Sequence, residues 1–180
     1  VSEGLDLALR TIICPGDEIL IPEPCYVSYK ACVSLAGGIP VTVPTSIETE
    51  FRITVEQLEK YVSPKTKALI IGYPNNPTGA IMPQEELSKI AEFAERHDLI
   101  VISDEIYSNL TYDATHTCFA ALPNMKDRTI VLNGFSKSYA MTGWRIGFAV
   151  GPQQLISKMA VMQGHITSCA SSISQWASLG

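Results

Sequence analysis

Three short stretches of this 180-residue chain carry side chains whose types and order suggest chemistry. Pro74-Asn75-Asn76-Pro77-Thr78-Gly79 offers amides within a turn. Ser103-Asp104-Glu105-Ile106-Tyr107 offers a carboxylate and a phenol, and Gly134-Phe135-Ser136-Lys137 offers an amine. Each stretch directly follows an apolar run of strand length. In open α/β sheets, ligands bind beyond the carboxyl ends of the strands. If those strands are parallel, an amide, a carboxylate, a phenol and an amine meet at one edge, a collection that suits a cofactor better than a core. Taken singly, each group has an ordinary explanation. Asp104 can simply cap a helical turn. Tyr107 stands three residues on, shares its face, and alone would more often be packing. Asn76-Pro77-Thr78-Gly79 is a turn signal. A lone Lys137 is ordinarily solvated, and a lone Arg145 ordinarily sits in a surface ion pair.

The elements that must position these groups are legible as a β-α-β rhythm. Leu5, Leu7, Leu9, Ile12 and Ile13 predict a buried helix stopped by Pro15-Gly16-Asp17. Strands are expected at 18–22, 39–43, 67–73, 99–104, 129–133 and 146–150. Helices are expected at about 25–36, 55–62, 83–97 and from 152 onwards, and residues 174–180 have the pattern of a helix in progress. The longest irregular stretches are 44–53 and 111–128. Strands alternating with helices of this length predict a mostly parallel sheet covered on both faces.

Composition narrows the function classes. Apolar residues make up 46% and charged residues 17% of the chain, against roughly 25% charged in ordinary soluble proteins. That balance fits elements buried on both faces. The net charge of −5 comes with no basic run, which argues against nucleic-acid binding through phosphates. No apolar run reaches membrane-span length, and no signal peptide is visible. Five cysteines, none in a CxxC pair and none at metal-ligand spacing from a histidine, point to reduced thiols in a cytoplasmic protein. The chain opens on Val1 rather than Met and runs straight into a helical pattern. We therefore expect a piece of a longer protein.

Position and order together resemble the fold-type I, pyridoxal-phosphate (PLP)-dependent aminotransferases of class I/II, the aspartate aminotransferase-like family. Residues 74–79 look like its NPTG loop and residues 103–107 like its D-x-x-Y element. Ser136-Lys137-Ser138-Tyr139-Ala140-Met141-Thr142-Gly143-Trp144-Arg145-Ile146-Gly147 looks like its lysine signature, with Arg eight residues after Lys. The likeness covers essentially the whole chain, and the lysine segment is its most specific part. It implies an α/β fold, a three-layer αβα sandwich with a mostly parallel mixed sheet. It further implies that 1–180 is the PLP-binding large domain, with an N-terminal segment and a C-terminal small domain lying outside it.

The resemblance also implies roles. Lys137 would form the Schiff base with the PLP aldehyde and, once released, move the substrate's α-proton. Asp104 would keep the pyridine nitrogen protonated. Tyr107 and Asn76 would bind the ring's phenolic oxygen. Tyr26 would stack on the ring, although a buried helix aromatic is the ordinary alternative. Arg145 offers a planar fork for the phosphate, joined by Ser136 and by the backbone amides of Val1 and Ser2 at a helix N-terminus. Some relatives carry a serine three residues before the lysine; here that position is Gly134. Asn76–Pro77 and Glu23–Pro24 are expected to be cis. The implied reaction moves an amino group between an amino acid and a 2-oxo acid, in a homodimer. A C–S lyase on the same scaffold and a non-catalytic regulator of the same fold are the alternatives. The lyases usually carry His where Tyr107 stands, and lack the Ala-Met-Thr-Gly-Trp-Arg run found here.

Overall fold

A computed structural model describes residues 1–179. Strands β1 (Glu18–Glu23), β2 (Ile39–Pro44), β3 (Thr66–Gly72), β4 (Ile100–Asp104), β5 (Thr129–Gly134) and β6 (Gly147–Val150) form one sheet in the order β2-β1-β3-β4-β5-β6. The first five run parallel, and β6 pairs with β5 antiparallel. The three central strands read as unbroken apolar runs because both their faces are covered.

One face is covered by α1 (Ser2–Ile12), α2 (Ser28–Leu35) and α6 (Gln153–Ile166). There Leu5, Leu9, Val33 and Met159 pack on Ile19, Ile21, Ile70, Ile102 and Ile130. The other face is covered by α3 (Val55–Glu59) and α4 (Gln84–Arg96). There Leu58, Leu87, Ile90 and Phe93 pack on Leu20, Leu69, Ile71 and Val101. Burial of each such side chain stabilises the fold by about 1.5–3 kcal/mol. Helix α4 alternates these residues with an outer face bearing a Lys89–Glu85 pair, and it places Glu85 and Glu86 in its first turn, where the dipole favours them. The result is the expected three-layer α/β sandwich.

Several boundaries differ from expectation. Helix α2 begins at Ser28 rather than 25, because residues 24–27 form a turn in which the Tyr29 amide bonds to the Tyr26 carbonyl at 3.1 Å. Helix α3 stops at Glu59 and not at 62. Strand β6 starts at Gly147, since Arg145 sits in the left-handed region with φ 50. The segment around the lysine winds into a single turn, α5 (Phe135–Ser138), and α7 (Ser172–Ala177) ends before the expected 180, which lies outside the described residues. Each irregular stretch contains a short 3-10 turn, at Ile47–Thr49 and Phe119–Ala121. Glu23–Pro24 and Asn76–Pro77 are both cis, as expected, and so is Tyr73–Pro74. Among the described residues no helix is long and apolar enough to cross a membrane, and all five cysteines are free.

Candidate active site

The parallel strands all end on one side, and the groups that follow them converge there. Asp104 is the last residue of β4, and Tyr107 lies one turn beyond it. Asn76 follows β3, Ser136 and Lys137 follow β5, and Tyr26 follows β1. One cavity is lined by Val1, Ser2, Tyr26, Asn76, Asp104 and Tyr107, and closed on its remaining side by Ser136, Lys137 and Arg145. All nine residues singled out in the sequence therefore reach one cavity. Tyr29 and Thr142 also line it and were not anticipated.

Local chemistry explains the placement. In the loop after β3, the Asn75 carboxamide oxygen accepts from the Thr78 hydroxyl at 2.9 Å and from the Thr78 amide at 3.3 Å. The Thr78 hydroxyl oxygen in turn accepts from the Ala80 amide, and Gly79 supplies a φ of 74. Asn75 and Thr78 thus build the turn, and Asn76 is the amide left to face the cavity. At the end of β5, the Asn133 amide group donates to the Ser108 hydroxyl at 3.1 Å, tying the lysine strand to the turn that carries Tyr107. The absence of a serine at 134 has a packing reason. A Cβ there would stand 2.9 Å from the Gly147 Cα and 3.0 Å from the Ile146 carbonyl oxygen, so this close pairing of β5 with β6 requires glycine.

Asp104 is only 6% exposed. Its carboxylate accepts from the Tyr29 hydroxyl at 2.9 Å and from the Ile106 amide at 3.2 Å. Burial pushes its pKa above the ordinary carboxylate value, and the Tyr29 and Ile106 donors oppose that rise. A buried carboxylate held by neutral donors, open to a cavity, is poised to take a cationic N–H. The Lys137 ammonium lies 5.6 Å from the centroid of the Tyr107 ring, within cation–π range. The Tyr26 ring meets Tyr29 edge-on at 5.8 Å. Hydroxyls of Ser28 and then Ser2 hold the Tyr26 phenol below its usual pKa. Arg145 donates to the Thr142 carbonyl at 2.9 Å, which steadies the guanidinium at the cavity mouth.

Behind the site stands a second buried acid that the sequence did not single out. Glu105 accepts from the Phe119 amide at 3.0 Å and the Ser103 hydroxyl at 3.0 Å, and pairs with His116 at 2.8 Å. Burial pushes its pKa up, but these partners, His116 foremost, outweigh burial and hold it below the ordinary value. Glu105 thereby anchors the irregular 111–128 stretch to the strand end that carries Asp104. His116→Ala is expected to lower the stability of the full-length protein by about 1.5–3 kcal/mol, as for loss of a hydrogen bond to a charged group. A carboxylate with a depressed folded pKa contributes stability that is present above its unfolded value, near pH 4.3, and is lost as pH falls through the folded one. That acid-side contribution should shrink in the variant. Urea melts at pH 7 and pH 4 check both points; an unchanged midpoint at pH 7 would show that the pair contributes nothing.

Comparison with known proteins gives a consistent match. The family model described as aminotransferase class I and II matches residues 1–180. The chain is 50% identical over 177 residues to an aspartate aminotransferase of Pyrococcus abyssi, covering 98% of this chain and 46% of that protein. It is 49% identical over 177 residues to aromatic-amino-acid aminotransferase 2 of Thermococcus litoralis, again covering 98% and 46%. A crystal structure of the aromatic aminotransferase of Pyrococcus horikoshii superposes with a TM-score of 0.96 at 48% identity, covering 98% of this chain and 48% of that one. The chain spans about half the length of the curated relatives it matches.

Proposed function

The chain belongs to the class I and II aminotransferase family, and from that premise we propose that the whole protein is a PLP-dependent aminotransferase moving an amino group between an amino acid and a 2-oxo acid. The observation that carries this is the convergence of Asp104, Tyr107, Asn76, Lys137 and Arg145 on one cavity. The donor set fits PLP group by group. A buried carboxylate suits the ring nitrogen, a phenol and an amide suit the ring oxygen, and an amine suits the aldehyde. A guanidinium and a helix N-terminus suit the phosphate.

When bound, PLP supplies an electron-withdrawing ring that stabilises negative charge at the substrate's α-carbon. The residues of this chain would hold that ring and move the proton. Lys137 would hold the cofactor through its Nζ and would supply the amine that takes and returns the substrate's α-proton. Asp104 would accept a hydrogen bond from the ring nitrogen and favour its protonated form. Tyr107 and Asn76 would hold the phenolic oxygen, and Tyr26 would support the ring. Arg145, Ser136 and the first amides of α1 would hold the phosphate. A homodimeric, cytoplasmic enzyme belongs to the same proposal, as does the assignment of 1–180 to its cofactor-binding large domain.

The test is an amino-donor half-reaction on the full-length protein, followed by absorbance of the bound cofactor. Aspartate and tyrosine are the first donors, because relatives of near-equal identity are named for aspartate and for aromatic amino acids. Spectral change with neither these nor other amino acids would sink the proposal. Residues 1–180 expressed alone should bind PLP weakly and show no turnover. The group expected to clamp the substrate's α-carboxylate, by family resemblance, is an arginine of the C-terminal domain. Orientation of this kind supplies about 7–11 kcal/mol of barrier lowering. Full activity from 1–180 would overturn that expectation.

A further inference from the structure

The side chains at the floor of the cavity hold one arrangement that the proposed roles leave unused. Tyr29 is 5% exposed and donates its hydroxyl to Asp104 at 2.9 Å. It reaches Asp104 by passing over the last residue of β3, Gly72, which pairs with Asp104 across the sheet. A Cβ at Gly72 would stand 2.6 Å from the Tyr29 hydroxyl oxygen, but 3.6 Å from its ring Cζ and 3.7 Å from the Asp104 Cβ. The obstruction is thus to the oxygen alone, since the other two distances are ordinary contacts.

We infer that Tyr29 is a positioning residue for Asp104, and that Gly72 is glycine in order to let the Tyr29 hydroxyl reach the carboxylate. The inference rests on the cofactor reading above and assigns it two further residues. Asp104 has two oxygens to orient. The Ile106 amide holds one and the Tyr29 hydroxyl the other. With both held, the carboxylate plane is fixed before any ligand arrives, and such preorganised polar groups need no rearrangement during reaction. Burial and the neighbouring Asp104 charge push the Tyr29 pKa far up, so the phenol stays a donor throughout the working range. Its donation in turn favours the ionised form of Asp104. Tyr29 lies 75 residues from Asp104 in sequence, and in the primary structure it reads as one more aromatic in a helix.

The glycine and the hydroxyl are coupled, which supplies the test. Full-length protein is prepared as wild type, Tyr29→Phe, Gly72→Ala and the double variant. PLP affinity, kcat, KM for the amino donor and thermal midpoint are measured on each. Loss of a hydrogen bond to a charged group corresponds to on the order of tenfold or more, so Tyr29→Phe should weaken PLP binding and lower kcat by about that factor, with KM unchanged. Gly72→Ala should do at least as much, because its methyl displaces the hydroxyl. The double variant should be no worse than Tyr29→Phe alone, since Phe carries no oxygen for the methyl to meet. A tyrosine that merely fills space would shift the thermal midpoint and leave kcat per bound cofactor unchanged, which would overturn the inference. Additive losses in the double variant would overturn the role given to Gly72. A wild-type protein that takes up no PLP would overturn the cofactor reading and this inference with it. A wild type that binds PLP, beside a Tyr29→Phe variant matching it in affinity and kcat, would overturn this inference alone.

Discussion

Lys137→Ala should leave a protein that takes up PLP without a covalent bond and shows no measurable transamination. Among the described residues, Lys137 is the one lysine lining the cavity, so no other amine is placed to substitute. It sits within the single turn α5, which follows the close antiparallel pairing of β5 and β6 at Gly134 and Gly147. Two losses combine in the variant. The covalent hold on the cofactor disappears, and so does the base that moves the α-proton; positioned proton transfer alone is worth about 10²–10⁴-fold in rate. Borohydride reduction of the PLP-loaded wild type, followed by peptide mapping, should place the pyridoxyl group on Lys137. A label on any other lysine would refute the assignment, and so would normal turnover by the variant.

Asp104→Asn should produce the second-largest effect. Asparagine preserves shape, and its carbonyl oxygen can still accept from Tyr29 or from the Ile106 amide, so the change tests charge more than packing. A neutral group cannot favour a protonated ring nitrogen. Loss of a preorganised electrostatic partner in a water-poor site costs about 10²–10³-fold in kcat. The folded protein without cofactor should respond in the opposite direction. The pKa of Asp104 is raised by burial, and a carboxylate with a raised folded pKa contributes stability below its unfolded value that is lost as pH rises through the folded one. Above the folded pKa that contribution is absent, and there the variant should melt at or above the wild-type temperature when PLP is removed. Holding a bare carboxylate in the floor of the cavity then reads as stability given up for function. Turnover within a few-fold of wild type would remove Asp104 from the proposed role.

What the sequence made legible follows from how local each signal is. The strands ending at Gly72, Asp104 and Gly134 were readable because burial on both faces demands continuous apolar runs. The groups just after them were readable because strand ends are where open sheets bind ligands. Asn76, Asp104, Tyr107 and Lys137 were readable from their order along the chain and the family likeness of their short segments, since each alone has an ordinary explanation. Tyr29 was not: its partner is set by the packing of α2 over β1 and β2, which carries its hydroxyl past Gly72 to Asp104, and no local pattern separates it from a core aromatic. Glu105 escaped for a similar reason. It is next to Asp104 in sequence, but strand alternation turns it to the other side, towards His116 and the Phe119 amide, which lie in a stretch with no periodicity to place it. Helix starts were misjudged where a turn intervened, as at residues 24–27 before α2.

The cavity draws its lining from Val1 at one end of the chain to Arg145 near the other. No two adjacent segments can make it, and α1 must dock against β5 and β6 before the intended phosphate site exists. Contacts so far apart in sequence carry a loop-closure cost that is met before they reward the chain, and folds dominated by them form slowly. On the proposed reading, cofactor capture would consequently be a late event in the maturation of this chain, and a half-folded intermediate would have little to offer PLP. Free PLP in the cell would then act on the finished structure by mass action, adding RT ln(1 + [L]/Kd) to its stability. The appearance of the bound cofactor's absorbance during refolding would report completion of the sheet, not the start of collapse.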